Sequence, residues 1–402
     1  MDPAELADRV SRGELRLHEL ESETGPETAA EARRHLLSEE TGADLATVGS
    51  YAFDPADAEA NIENFVGAAQ LPMGIAGPVA VQGGAVSGEF YLPLATTEGA
   101  LVASVNRGCS TISRSGGATA RVVESGMTRA PAFQVSDVAE AEAVVEWVRD
   151  HRDRLTAAAE STTSHGELTK IRPYVVGDAV FLRFVYDTKD AMGMNMATIA
   201  TEAACDVIEA ETPARLVALS GNLCTDKKPA AINAIEGRGR TVTADVLVPA
   251  DVVEERLNTS AAAIAEINTR KNLVGSAKAG SLGFNAQAAN VVAAIYLATG
   301  QDAAQVVEGA NAITTAEARD GDLYASVTLS SLEVGTVGGG TGLPTQSEAL
   351  EILGFDGGGD PPGSNADGLA EVIAVGALAG ELSLLAALAS RHLSSAHEQL
   401  GR

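Results

Sequence analysis

The chain has 402 residues, enough for two or three domains of about 150 residues, and its 45% apolar and 21% charged composition excludes collagen-like, low-complexity and wholly disordered chains. With 28 basic against 55 acidic residues the net charge is −27, a field that repels phosphate backbones and anionic lipid and argues against nucleic-acid and membrane partners. The three cysteines, Cys109, Cys205 and Cys224, are odd in number and widely spaced, so neither a disulfide framework nor a metal site is expected and a reducing cytoplasm fits best.

Residues 1–62 carry Glu, Arg and Ala at helical spacing and predict a small helical N-terminal domain. Leu71-Pro72-Met73-Gly74-Ile75-Ala76-Gly77-Pro78 is a punctuated loop, with short β-like runs after it as far as Leu94. From Thr97 a buried helix is expected to start, with Thr96 or Thr97 as its cap. Residues 139–155 read as an amphipathic helix, 170–176 and 179–186 as strands, and 194–211 as a helix, a β/α module that interrupts a larger unit. Beyond it, long Ala-rich helices are expected over 277–299 and 370–390. The second carries Glu371 and Glu381, which a bilayer tolerates poorly, so it is predicted to be a buried core helix. No apolar run follows a basic N-terminal stretch, and no secretion signal is expected.

Only six residues are Lys: Lys170, Lys189, Lys227, Lys228, Lys271 and Lys278. An acidic, Lys-poor surface suits concentrated salt, where the Debye length falls to about 3 Å and self-repulsion is screened. In such a chain the adjacent pair within Ser220-Gly221-Asn222-Leu223-Cys224-Thr225-Asp226-Lys227-Lys228-Pro229 points to function. An ammonium held beside a carboxylate can stabilise a developing oxyanion. Glu98 and Asp302 are candidate partners; should both converge on Lys227, one carboxyl would be pushed towards holding a proton at neutral pH.

No Gly-x-Gly-x-x-Gly fingerprint follows a strand, and no phosphate-binding Gly-Lys-Ser/Thr loop occurs. The Gly-rich run from Gly335 to Gly342 is either a flexible loop or a nest of bare N–H groups for phosphate. Asp190-Ala191-Met192-Gly193-Met194-Asn195-Met196 either caps a helix or turns a helix N-terminus towards an anionic ligand. His18, His35 and His151 sit in charged helical stretches; His392 and His397 fall on different helix faces, which disfavours a metal pair.

Taken in order, Glu63-Asn64-Phe65-Val66-Gly67, Thr96 to Glu98, Asp190 to Met196, the stretch from Ser220 to Gly239, Gly300 to Asp302 and Gly335 to Thr341 resemble 3-hydroxy-3-methylglutaryl-coenzyme A reductase. The Asp-Ala-Met-Gly-Met-Asn form is similar to the first class of that family, found in eukaryotes and archaea. The resemblance implies an α+β fold: a helical domain over 1–62, a large helical substrate domain over 63–129 and 230–402, an inserted small non-Rossmann, ferredoxin-like NADPH domain over 130–219, and a catalytic connection over 220–229. It implies a four-electron reduction of the thioester to mevalonate with two NADPH, NADH being the less favoured donor. Lys227 would stabilise the oxyanion, Glu98 would donate a proton, Asp302 would tune both, and His397 would protonate the departing thiolate. Arg129, Ser220, Asp226, Lys228, Lys271 and Asn290 would grip the hydroxymethylglutaryl group, and Ser104, Asn106 and Arg107 would contact coenzyme A. Asp190, Met192, Gly193, Asn195, Gly338, Gly339 and Gly340 would form the dinucleotide site. A homodimer or dimer of dimers with shared active sites is implied by analogy. The chain departs from the family pattern at Gln287, where many relatives have His, and at Ser164-His165, where relatives place Ser-Arg near the 2′-phosphate. An acyl-coenzyme A binder or thioester hydrolase without hydride transfer is the competing reading.

Overall fold

The structure is a computed structural model and describes residues 2–390. At the N-terminus, helices Pro3–Ser11 and Pro26–Thr41 close around Leu6, Leu15, Leu20, Ala29 and Ala32. Arg33 is 1% exposed and ties this unit to the segment that leads into the first strand: it pairs with Glu21 and donates to the Phe65 carbonyl at 3.2 Å.

The described residues then form ten strands: β1 (Met73–Gly83), β2 (Ser87–Ala95), β3 (Ala118–Arg129), β4 (Ala132–Gln134), β5 (Glu167–Val176), β6 (Ala179–Asp187), β7 (Arg215–Ala218), β8 (Gly239–Val248), β9 (Ala312–Arg319) and β10 (Asp322–Leu332). One half of β3 pairs antiparallel with β8, from Thr119 opposite Asp245 to Gly126 opposite Gly239, in the sheet β1-β3-β8-β10-β9 that β2 extends beyond β1. Its last three residues, Met127 to Arg129, pair instead with Phe184 to Tyr186 of β6. A single strand therefore carries the chain from one sheet into the other.

The second sheet runs β7-β4-β6-β5 with every neighbour antiparallel, and helices Val138–Asp150, Arg152–Glu160 and Met194–Glu211 lie between its strands in the chain. This is the split β-α-β-β-α-β order of a ferredoxin-like module. Its core, from Met127 to Ala214 and including Phe133, Val144, Leu182 and Phe184, is separate from the larger core.

The larger core is built on helix Ser364–Ala389, whose residues from Leu369 to Ser383 are all buried. Its two acids are accommodated by hydrogen bonds. Glu371 accepts from the N–H groups of Gly84, Ala85 and Val86, and Glu381 from Ala286, Gln287 and the Thr314 hydroxyl. Helix Leu101–Arg114 crosses it so closely that a Cβ on Gly108 would lie 2.0 Å from the Ala379 carbonyl oxygen.

Several expectations are corrected. Strands β8, β9 and β10 stand where only helices were expected, although the large unit remains more helix than sheet. Residues 277–299 are not one helix: Gly280 terminates Ser276–Ala279 at a φ of +70°, and a new helix spans Ala288–Thr299. The helix expected from Thr97 starts at Leu101 behind left-handed Ala100, without a side-chain cap; the Thr96 hydroxyl accepts the Glu98 N–H instead. The helix over 139–155 breaks at His151.

Candidate active site

Helix Met194–Glu211 starts at Gly193, whose φ of +84° turns the chain sharply and which supplies no side-chain cap. The first-turn N–H groups of such a helix are open donors at the positive end of its dipole. Across a cleft of about 560 Å³ lies the loop from Val337 to Thr341. Gly338 and Gly339 have φ of +76° and +58°, and a Cβ on either would meet nothing within 4 Å, so their backbone faces open space. The two walls are fastened together by a parallel bridge between Ala191 and Val337. Met192, Gly193, Asn195 and Gly338 to Gly340 thus line one cleft, as do Lys227 and Asp302.

Asp190 does not line it. Its carboxylate is buried and accepts from the N–H groups of Gly359, Gly363 and Ala366 at 3.0, 2.7 and 3.0 Å. It caps the start of the core helix and holds the preceding loop against the 190–196 turn, so a direct ligand contact is replaced by support from behind. The segment carrying Ser164 and His165 packs on Met196, where a Cβ on Gly166 would lie 2.6 Å from the sulfur.

Lys227 Nζ lies 2.7 Å from Asp302 Oδ2 at the cleft wall. That bond, against a smaller effect of burial, raises the Lys227 pKa and keeps the ammonium charged. Asp226 pairs with Arg238 at 3.1 Å and accepts from Gln305 at 3.2 Å. Arg238 has a fully buried side chain and also bonds Glu308 and Glu333, at 3.0 and 2.9 Å. Burial opposes its charge, but the Glu333, Asp226 and Glu308 carboxylates more than compensate. Burial also pushes Glu333 far above the usual carboxylate range. Arg129 donates to the Thr198 hydroxyl at 3.0 and 2.6 Å, Ser220 Oγ is 3.4 Å from Cys224 Sγ, and Lys228 Nζ donates to its own loop at the Asp226 carbonyl.

Glu98 is elsewhere. It is exposed, accepts from Asn290 Nδ2 at 3.2 Å and makes no ion pair with Lys227. Asn290 stands in the first turn of helix Ala288–Thr299 and Asp302 just past its last turn. Twelve residues of α-helix span about 18 Å, so Glu98 and Lys227 sit at opposite ends of that helix within one chain. Lys271 belongs to the Glu98 end, where its charge acts on Glu381, itself bonded to Gln287 N–H at 2.7 Å. On helix Leu101–Arg114, Ser104 Oγ is 2.9 Å from Ser383 Oγ, Arg107 donates to the Ser383 hydroxyl and carbonyl at 3.1 and 2.8 Å, and Asn106 accepts the Gly77 N–H at 2.9 Å. His392 and His397 lie outside the described residues. Among the described residues no group of three His, Cys, Asp or Glu could hold a metal ion.

Sequence reading missed Arg238, Glu308 and Glu333, and also Arg183, which is buried and donates to the carbonyls of Leu223 and Gly237 on either side of the Lys227 loop at 3.1 and 2.8 Å. A usable signal was Glu333 itself, an acid between Leu332 and Val334 in an apolar run.

The chain is 73% identical over 401 residues to the 3-hydroxy-3-methylglutaryl-coenzyme A reductase of Haloferax volcanii, covering 100% of both chains. It is 72% identical over 402 residues to that of Halobacterium salinarum, covering 100% of this chain and 99% of the relative. In fold it is similar to the class II enzyme of Streptococcus pneumoniae solved with NADPH, at a TM-score of 0.67 and 22% identity over 93% of this chain and 96% of that one. A sequence model for hydroxymethylglutaryl-coenzyme A reductase matches residues 29–402, and the chain belongs to that family.

Proposed function

We propose that this chain reduces 3-hydroxy-3-methylglutaryl-coenzyme A to mevalonate and coenzyme A with two NADPH, as a first-class member of its family. The observation that carries the reading is the Lys227 ammonium, bonded to Asp302 at 2.7 Å on the wall of a cleft that an uncapped helix start and a glycine-rich loop also line. Those open N–H groups and the side-chain-free loop fit a dinucleotide with its phosphates. NADPH, when bound, supplies the hydride. Lys227 neutralises the oxygen that becomes negative as the carbonyl is reduced, and Asp302 holds that ammonium charged and aimed. Arg129, Lys228 and Lys271 supply positive charge for the substrate carboxylate, with Ser220, Asp226 and Asn290 completing the grip. Ser104, Asn106 and Arg107 serve coenzyme A. His397 protonates the leaving thiolate: an imidazolium with a pKa of about 6.5 donates downhill to a thiolate whose acid has about 8.5.

Glu98 enters as proton donor from a second subunit. The separation of Glu98 and Lys227 along one helix supports a site assembled from the Lys227 end of one protomer and the Glu98 end of its partner, in a homodimer or dimer of dimers. The acidic, Lys-poor composition supports a cytoplasmic enzyme working in concentrated salt. The test is NADPH oxidation in the presence of hydroxymethylglutaryl-coenzyme A, with two NADPH expected per mevalonate. Release of thiol without loss of reduced-nicotinamide absorbance would replace the reductase by the thioester hydrolase.

A further inference from the structure

The loop that delivers Lys227 is held in a conformation L residues avoid. Asn222, Thr225 and Lys227 have φ of +63°, +49° and +59°. Thr225 is β-branched, for which this region is a genuine outlier, and outliers of this kind persist only where their surroundings over-determine them. Most of the bonds to the loop act on Lys227's neighbours: Asn233 donates to the Thr225 carbonyl at 3.2 Å, and Arg238 and Gln305 hold the Asp226 carboxylate.

One bond acts on the backbone of Lys227. Its backbone N–H donates to Glu308 Oε1 at 2.7 Å. The Glu308 side chain is fully buried, and the same oxygen accepts from buried Arg238 Nη1 at 3.0 Å, which leaves the carboxylate no freedom to follow the loop outwards. Glu308 lies six residues after Asp302, across the turn Ala303–Gln305 that the Asp302 carboxylate caps at the Ala304 N–H. One short turn therefore grips Lys227 twice, at the ammonium through Asp302 and at the backbone through Glu308.

We propose that Glu308 is a positioning residue for the reduction: its Oε1, immobilised by Arg238, pins the Lys227 N–H and so sets where the ammonium meets Asp302 in the cleft. The inference rests on the reading of Lys227 as the oxyanion-stabilising cation. What matters on this account is an acceptor at one point in space rather than the negative charge. Two conservative variants separate these. Glu308→Gln keeps an acceptor oxygen at the Oε1 position and removes the charge. Glu308→Asp keeps the charge and withdraws the oxygen by one methylene.

The experiment compares kcat, the NADPH KM and the pH dependence of kcat in the full-length enzyme for wild type, E308Q, E308D and K227A. E308D is expected to lose kcat on the order of a hundredfold, as displacing a catalytic group by an ångström can do. Its NADPH KM should change far less than kcat, because the bonds found at Glu308 run to the Lys227 N–H and to Arg238 rather than to the cleft walls of 193–196 and 338–340. The charges facing Lys227 are Asp302, Asp226 and Arg238. With the ammonium displaced from Asp302, the alkaline limb of kcat for reduction of added mevaldehyde, a step that needs no proton from His397, should move to lower pH in E308D and return in E308Q along with most of the turnover. A merely structural Glu308 would lower stability without moving that limb. E308Q as impaired as E308D, or E308D with wild-type kcat and limb, overturns the proposal. A K227A enzyme as active as wild type overturns the underlying reading of Lys227 instead.

Discussion

The two ends of helix Ala288–Thr299 are built on opposite principles. At the Asp302 end, Lys227, Asp302, Asp226, Arg238, Glu308 and Glu333 form a connected set of ionisable groups, the last three fully buried, and every link is made within one chain. At the other end, Glu98 is exposed and held by one 3.2 Å bond from Asn290, while the charge of Lys271 reaches Glu381 without an ion pair within 4 Å. Buried, multiply bonded groups are fixed before substrate arrives; an exposed carboxylate on one bond is not. The difference teaches that the Asp302 end is preorganised within the protomer and the Glu98 end is not, which is the contrast the proposed shared site depends on.

The largest expected effect lies at the organised end. Lys227→Ala should lower kcat by about 10²–10³, or roughly 3–4 kcal/mol, on the scale of removing one oxyanion donor. The comparison sharpens when the two ends are broken in different chains. Lys227→Ala and Glu98→Gln are each expected to be nearly inactive, yet subunits of the two, mixed under exchanging conditions, should recover about a quarter of wild-type activity, because half of the dimers are mixed and each of those holds one intact site. No recovery would mean that both residues serve the same site from the same chain, and the opposite-ends argument would fail.

Legibility in the sequence followed the same divide between local and non-local causes. Strands β5 and β6 and the helix Met194–Glu211 were readable because alternation and helical spacing are local patterns. Lys227 was readable because Lys is scarce. The strands β8 to β10 were lost against the surrounding Ala-rich helices, although Thr241-Val242-Thr243-Ala244-Asp245-Val246 alternates with the period of two that a half-buried strand requires. Glu308 and Arg238 were illegible because a fully buried charge looks in sequence like a surface charge until its partners, 70 residues apart in this case, are brought together. Of the two acids that sequence offers Lys227, Asp302 meets it at 2.7 Å, whereas Glu98 bonds Asn290 instead.

A smaller effect is expected behind the cleft. Asp190→Ala leaves the Gly359, Gly363 and Ala366 N–H groups unpaired, and at about 1–3 kcal/mol for each buried orphan the variant should lose roughly 3 kcal/mol or more of stability in denaturant titration. The NADPH KM should rise with it, since the 190–196 wall loses its backing. Asp190→Asn, able to accept from two of the three donors, should fall between. A variant that melts like wild type and changes only the NADPH KM would restore Asp190 as a direct ligand contact and weaken the case that this region is organised from within.

The smallest effect tests the open end. Burial raises the Glu381 pKa against the opposing hydrogen bonds from Ala286, Gln287 and Thr314 and the distant charge of Lys271. A carboxyl whose folded pKa is raised contributes its full stability below the unfolded value of 4.5 and loses it as pH climbs through the folded value. Wild type should therefore lose a small increment of stability between those two values, and Glu381→Gln should lack that decline. Gln can accept from two of the three donors but carries no charge to desolvate, so at neutral pH the gain and the loss nearly cancel and the net change should stay within about 1 kcal/mol. At the other end the same exchange at Glu333 keeps an acceptor oxygen for Arg238 but puts a neutral amide, with two N–H donors to satisfy, in a fully buried ion cluster. If thermal melts across pH show Glu381→Gln to be as damaging as Glu333→Gln, the two ends of the helix are organised alike and the contrast between them disappears.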